Sequence, residues 1–75
     1  MPHIQIKMIE GKTEEQKQKL TQEIIKAAQN VIGLGDDSYS VSIEDFTASE
    51  WKEDVYPNEI MGKKDTLYKS PGYKM

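Results

Sequence analysis

The chain opens on an alternation. Ile4, Ile6 and Met8 fall on one side of an extended backbone, and His3, Gln5 and Lys7 on the other. A period of two predicts a half-buried strand over 3–9. Glu10-Gly11-Lys12 breaks the pattern. Thr13 and Gln16, three positions apart, then form a capping box, with Glu14 and Glu15 in the first turn, where a helix favours negative charge. A helix is predicted over about 14–32 with an apolar face of Leu20, Ile24, Ala27, Ala28 and Val31, widened by Ile25 and Ile32. Gly33-Leu34-Gly35 ends it. Tyr39, Val41 and Ile43 against Ser40, Ser42 and Glu44 predict a second strand over 39–46. Strand, long helix and strand make a βαβ unit, whose strands run parallel with a right-handed crossover.

The tail is less regular. Ser49 is expected to cap a short helix over about 50–56, which Pro57 should interrupt. Gly62, Ser70, Pro71 and Gly72 mark turns. Trp51, Val55, Tyr56, Ile60, Leu67, Tyr68 and Tyr73 give the tail enough apolar surface to dock. The fold class is therefore α/β (α+β). It comprises two parallel strands, a crossover helix and a short C-terminal helix and turn region, in a single domain over 1–75.

Size sharpens this picture. A 75-residue chain buries only about 60% of its unfolded surface and is marginal alone. It has no cysteine, which removes disulfides and thiolate metal sites together. A lone βαβ unit also leaves one sheet face and both edges open. Pairing two chains makes a four-stranded sheet carrying two helices, so a homo-oligomer is expected, with a dimer favoured over a hexamer. The net charge of −3 argues against nucleic acid or an anionic membrane as partner. No apolar run approaches the roughly 20 residues of a membrane span, and no charged-then-apolar leader precedes the fold; the chain reads as cytoplasmic.

Candidate chemistry starts at Met1-Pro2. Methionine is usually trimmed before a small residue, and proline qualifies. Pro2 would then carry a free secondary amine at the head of a strand. An ordinary α-amino group has a pKa near 8; burial against apolar walls and a nearby cation both favour its neutral form, which is the form a general base needs. Lys12, in the loop before the helix, is the cation of choice. It would hold a carboxylate as a point charge, without the bidentate geometry of arginine; most loop lysines are simply solvated. The chain has ten lysines and no arginine. His3, the only histidine, should point away from Pro2, since neighbours on a strand face opposite ways. Trp51, the only tryptophan, reads equally as a packing anchor and as an apolar wall over a site. No metal-ligand spacing, Gly-rich phosphate loop or nucleophilic triad is present, and no cofactor is implied. The acidic stretches Glu44-Asp45 and Glu50–Asp54 are most simply solvated.

Together these residues resemble the 4-oxalocrotonate tautomerase family, and within it the short, tryptophan-bearing phenylenolpyruvate-type branch. The resemblance rests on Met1-Pro2-His3-Ile4 and its alternating strand, on Glu10-Gly11-Lys12-Thr13-Glu14-Glu15-Gln16-Lys17, on Ser40-Val41-Ser42-Ile43, on Trp51, and on Lys69-Ser70-Pro71-Gly72-Tyr73. It covers essentially the whole chain. It implies a βαβ fold assembled as dimers or as hexamers of three dimers. It also implies enol–keto tautomerisation without metal or cofactor, with a small-molecule enol acid as substrate. Carried over, Pro2 is the base. Lys12 stands where better-known members have a carboxylate-binding arginine, and Trp51 where they have an aromatic residue lining the site. Ser40 stands where dicarboxylate-specific members place a second arginine from a neighbouring chain. Serine cannot pair with a second carboxylate, so a monocarboxylate with an aromatic or apolar tail, such as phenylenolpyruvate, suits this chain better than 4-oxalocrotonate. Two alternatives stay open: hydration or dehalogenation of an unsaturated acid by the same amine, and a non-catalytic βαβ interaction module.

Overall fold

A computed structural model describes all 75 residues. Strand β1 spans His3–Ile9, helix α1 Glu14–Ile32 and strand β2 Ser40–Phe46. A one-turn helix, α2 (Ala48–Glu50), leads into a π-helical segment, Trp51–Ile60, and a 3-10 segment, Met61–Thr66. The chain forms two compact units, Met1–Asp45 and Phe46–Met75.

The first unit is the expected βαβ arrangement. Its two strands are hydrogen-bonded neighbours. They run parallel, because cross-strand partners climb together: His3 meets Ser40 and Ser42, and Gln5 and Lys7 meet Glu44. Helix α1 starts where the capping box predicts. The amide of Gln16 donates to Thr13 Oγ1 (3.1 Å), and the amide of Thr13 donates to Gln16 Oε1 (2.9 Å). Lys17 forms an ion pair with Asp45, tying the first turns of α1 to the end of β2.

The apolar face of α1 is shorter than its spacing implies. Leu20, Ile24, Ile25 and Ala28 are half-buried, whereas Ala27 is exposed. Val31 is 87% exposed and Ile32 59%. The cause is length. Nineteen helical residues span about 28 Å, while a seven-residue strand spans about 23 Å. With the start of α1 pinned beside the end of β2, its last turn overhangs the sheet.

The turn beyond is held by one side chain. Tyr39, only 8% exposed, donates its hydroxyl to the carbonyl of Gly33 at 2.6 Å. Gly33 and Leu34 both have positive φ, 89° and 69°; glycine adopts this freely, whereas an L side chain pays about 1 kcal/mol or more. Tyr39→Phe leaves that carbonyl without its partner. A loss of about 1–2 kcal/mol is expected, read as a lower thermal midpoint; an unchanged midpoint would show that water replaces the hydroxyl without penalty.

The second unit departs from the sequence reading in two places. Thr47, not Ser49, caps its first turn: the amide of Glu50 donates to Thr47 Oγ1 (3.1 Å), and Glu50 Oε1 accepts from the Thr47 amide (2.8 Å). Thr47 and Glu50 have the three-residue spacing of a reciprocal box, an advantage Ser49 lacks. Pro57 lies inside the π-helical segment rather than interrupting it. The wider winding pairs residues five apart, as Met61 N–H does with the Tyr56 carbonyl, so the ring avoids the carbonyl four residues back that it strikes in an α-helix. Val55 is completely buried. Trp51 Nε1 donates to Tyr73 Oη (3.2 Å), and its ring meets Phe46 edge to face. Tyr73 also lies against Tyr56, with ring centroids 5.7 Å apart. No helix is long and apolar enough to cross a membrane.

Candidate active site

Pro2 heads β1 and is half-buried. Its carbonyl accepts from the Ser40 amide at 3.3 Å, which fixes it to the first residue of β2. Met1 is wholly exposed, at 104%. While it is attached, the Pro2 nitrogen is an amide; removing Met1 uncovers that nitrogen without disturbing any packing.

His3 points to the sheet face away from α1, as strand alternation requires. Ser40 Oγ lies 2.6 Å from its Nδ1 and Ser42 Oγ 3.4 Å from its Nε2. Ser40 thus meets Pro2 through its backbone and His3 through its hydroxyl. Pro2, His3 and Ser40 form one cluster at the start of the sheet.

Lys12 is not in that cluster. About 20 Å of extended strand separates Pro2 from Met8, and Lys12 lies with Met8. It lines a pocket of about 210 Å³ with Met8, Gln16, Lys17 and Leu20. The expectation of Lys12 as the cation beside Pro2 therefore fails within a single chain, because the strand that places Pro2 carries the following loop to the far end of the sheet. The pocket has its own logic. Met8 and Leu20 supply apolar walls, and two lysines supply charge. Lys17 is committed to Asp45, whereas Lys12 is paired with no acid. One uncompensated cation above an apolar floor suits a carboxylate with an apolar body. The sequence pattern puts Leu20 on the apolar face of the helix and Gln16 in its cap. The cap keeps Gln16 next to the Lys12–Thr13 turn, and the packing of α1 against β1 brings Leu20 and Met8 to the same pocket.

Trp51 belongs to the second unit, where Tyr73 and Phe46 hold its ring.

The family description "Tautomerase enzyme" matches residues 2–55, beginning at Pro2. This chain is a member of the 4-oxalocrotonate tautomerase family. A probable tautomerase of Xylella fastidiosa is 36% identical over 97% of this chain and 89% of its own. The tautomerase PptA of Pectobacterium carotovorum is 35% identical over 97% of both. A 2-hydroxymuconate tautomerase of Bacillus subtilis is 36% identical over 85% of this chain and 92% of its own. Among solved structures, N2, a member of the 4-oxalocrotonate tautomerase family, superposes with a TM-score of 0.64 at 28% identity, over 71% of this chain and 83% of its own. The βαβ architecture is thus that of the tautomerases, and membership assigns the chain a tautomerase activity, placing it among the isomerases.

Proposed function

We propose that this tautomerase ketonises enol acids of the 2-hydroxy-dienoate or enolpyruvate type, phenylenolpyruvate-like, with Pro2 as general base once Met1 is gone. The observation that carries the proposal is the setting of Pro2. It is a half-buried proline at the head of β1, anchored through its carbonyl to Ser40, with a fully exposed Met1 joined to its nitrogen. The start of the family match at Pro2 supports the same reading.

The chemistry needs one base and one charge. The neutral amine takes the proton of the 2-hydroxyl. The oxygen's electron pair closes the carbonyl, and the carbon–carbon double bond opens onto C3. A proton then returns to C3 from the prolinium or a neighbouring acid. Lys12 holds the substrate carboxylate throughout, and Met8 and Leu20 bear on its apolar part. Ser40 serves this site by fixing Pro2, and Trp51 enters as an aromatic wall on the strength of the family resemblance.

Pro2 and Lys12 lie at opposite ends of β1, so a working site takes Pro2 from one chain and Lys12 from another. Each strand has one free edge. Two β1 strands laid edge to edge and antiparallel bring the Pro2 end of each beside the Met8–Lys12 end of the other, in a self-complementary two-fold dimer. The four-stranded sheet expected of the dimer follows directly. The exposed Val31, Ile32 and Leu34, and a chain whose only buried apolar side chains are Tyr39 and Val55, favour association as well. We place the homodimer in the cytoplasm.

One unpaired lysine favours one carboxylate. The test is the ultraviolet decay of phenylenolpyruvate and of 2-hydroxymuconate, using protein whose mass confirms loss of Met1. A larger kcat/KM for phenylenolpyruvate is expected. A clear preference for 2-hydroxymuconate, the compound named for the Bacillus subtilis relative, would overturn the monocarboxylate assignment. No acceleration of either would overturn the enol-acid reading.

A further inference from the structure

We infer that Gln16 is a second substrate-binding residue, whose side-chain amide supplies the donor that Lys12 lacks. This rests on the enol-acid reading above and extends it to a residue that otherwise serves only as a helix cap.

Three observations meet at this residue. Gln16 lines the same pocket as Lys12, Met8 and Leu20. Its Oε1 accepts from the Thr13 amide at 2.9 Å, which fixes the amide plane. Its Nε2 has no partner within the chain. The orientation follows from chemistry as well as geometry: a backbone N–H can only donate, so the oxygen must face it and the NH2 must face elsewhere. The reciprocal bond from the Gln16 amide to Thr13 Oγ1 locks the same turn. The cap thus holds one end of the side chain and leaves two N–H donors uncommitted on a residue that lines the pocket.

A carboxylate needs such donors. Each of its two oxygens accepts from more than one direction. Arginine meets both oxygens with one planar fork; lysine presents a single compact charge and leaves the anion free to swivel. A fixed amide N–H beside an ammonium restores two-point contact: Lys12 supplies charge and Gln16 direction. The ligand class is a monocarboxylate whose apolar body rests on Met8 and Leu20.

Two variants separate binding from capping. Gln16→Glu keeps an acceptor for the Thr13 amide and remains a good third residue of a capping box, but loses the donor. Gln16→Met loses both donor and cap and adds no charge. With phenylenolpyruvate as substrate, both are expected to raise KM about tenfold, as for one hydrogen bond to a charged group, with kcat little changed. Only Gln16→Met should lower the thermal midpoint. If KM rises only in Gln16→Glu, the effect is repulsion from a new charge and the inference falls. If it rises only in Gln16→Met, the effect is structural and the inference falls equally. Wild-type KM in both overturns it outright.

A second measurement does not depend on turnover. In the wild-type protein, the side-chain NH2 resonances of Gln16 should shift on titration with phenylacetate and not with 2-phenylethanol. Failure of that shift overturns the inference even in an active tautomerase. A shift without tautomerase activity would retain the carboxylate site while removing the enol-acid reading.

Discussion

Protein that keeps Met1, or that carries a tag ahead of Pro2, is expected to lose its ketonisation of phenylenolpyruvate while keeping its fold. The nitrogen of Pro2 is then an amide whose lone pair is delocalised into the carbonyl and takes no proton. A positioned general base contributes about 100- to 10,000-fold to rate, and most of that should vanish together. The fold has no stake in the change, because Met1 is wholly exposed and the anchor to Ser40 uses the Pro2 carbonyl, not its nitrogen. The measurement pairs mass spectrometry of the N-terminus with kcat and circular dichroism. Pro2→Ala, which leaves a primary amine, should fall between the blocked and the native protein. Full activity in a chain shown by mass to retain Met1 would remove Pro2 from the mechanism.

The second large effect is expected at Lys12. Lys12→Met retains the aliphatic stem against Met8 and Leu20 but deletes the pocket's one uncommitted charge. A hydrogen-bonded contact to a carboxylate is worth about 1.5–3 kcal/mol, so kcat/KM should drop about 10- to 100-fold. Lys17 should not compensate, since its ammonium is held by Asp45. The same variant tests the shared site. A chain with its Pro2 amine blocked and a chain carrying Lys12→Met are each poorly active alone. Mixed, unfolded and refolded together, they should form heterodimers with one intact and one doubly defective site. Recovery of about a quarter of the native rate is expected for random pairing of two-fold dimers. No recovery, with heterodimers demonstrated by mass, would show that Pro2 and Lys12 do not act in one site across two chains.

The sequence made the first unit legible because its signals are local. An alternation of two in β1 and β2, a capping box at Thr13 and a glycine after α1 each act within a few residues, and each appears in the structure where its spacing places it. What the sequence concealed is global. Val31 and Ile32 have the right period to face a core, yet no strand lies beneath them; helix length against strand length decides that, and no residue states it. The second unit misled for another reason. Its winding from Trp51 onward is wider than an α-helix, so the rule for proline, which assumes a four-residue hydrogen bond, does not carry over, whereas the cap obeys the ordinary box spacing at Thr47 and Glu50. Of the residues named for the site, Pro2 and Lys12 stand at opposite ends of β1, and that separation was not legible. Periodicity shows which way a side chain faces and says nothing of how far along the strand its partner stands.

The sheet face away from α1 carries one last consequence. His3, Gln5, Lys7, Ser40, Ser42 and Glu44 are joined across the two strands by hydrogen bonds and an ion pair. A polar face knitted together in this way gains little from an apolar layer laid upon it, which would desolvate these groups without replacing their bonds. The unpaired edges have no such internal partners. Pairing at an edge would break none of these bonds.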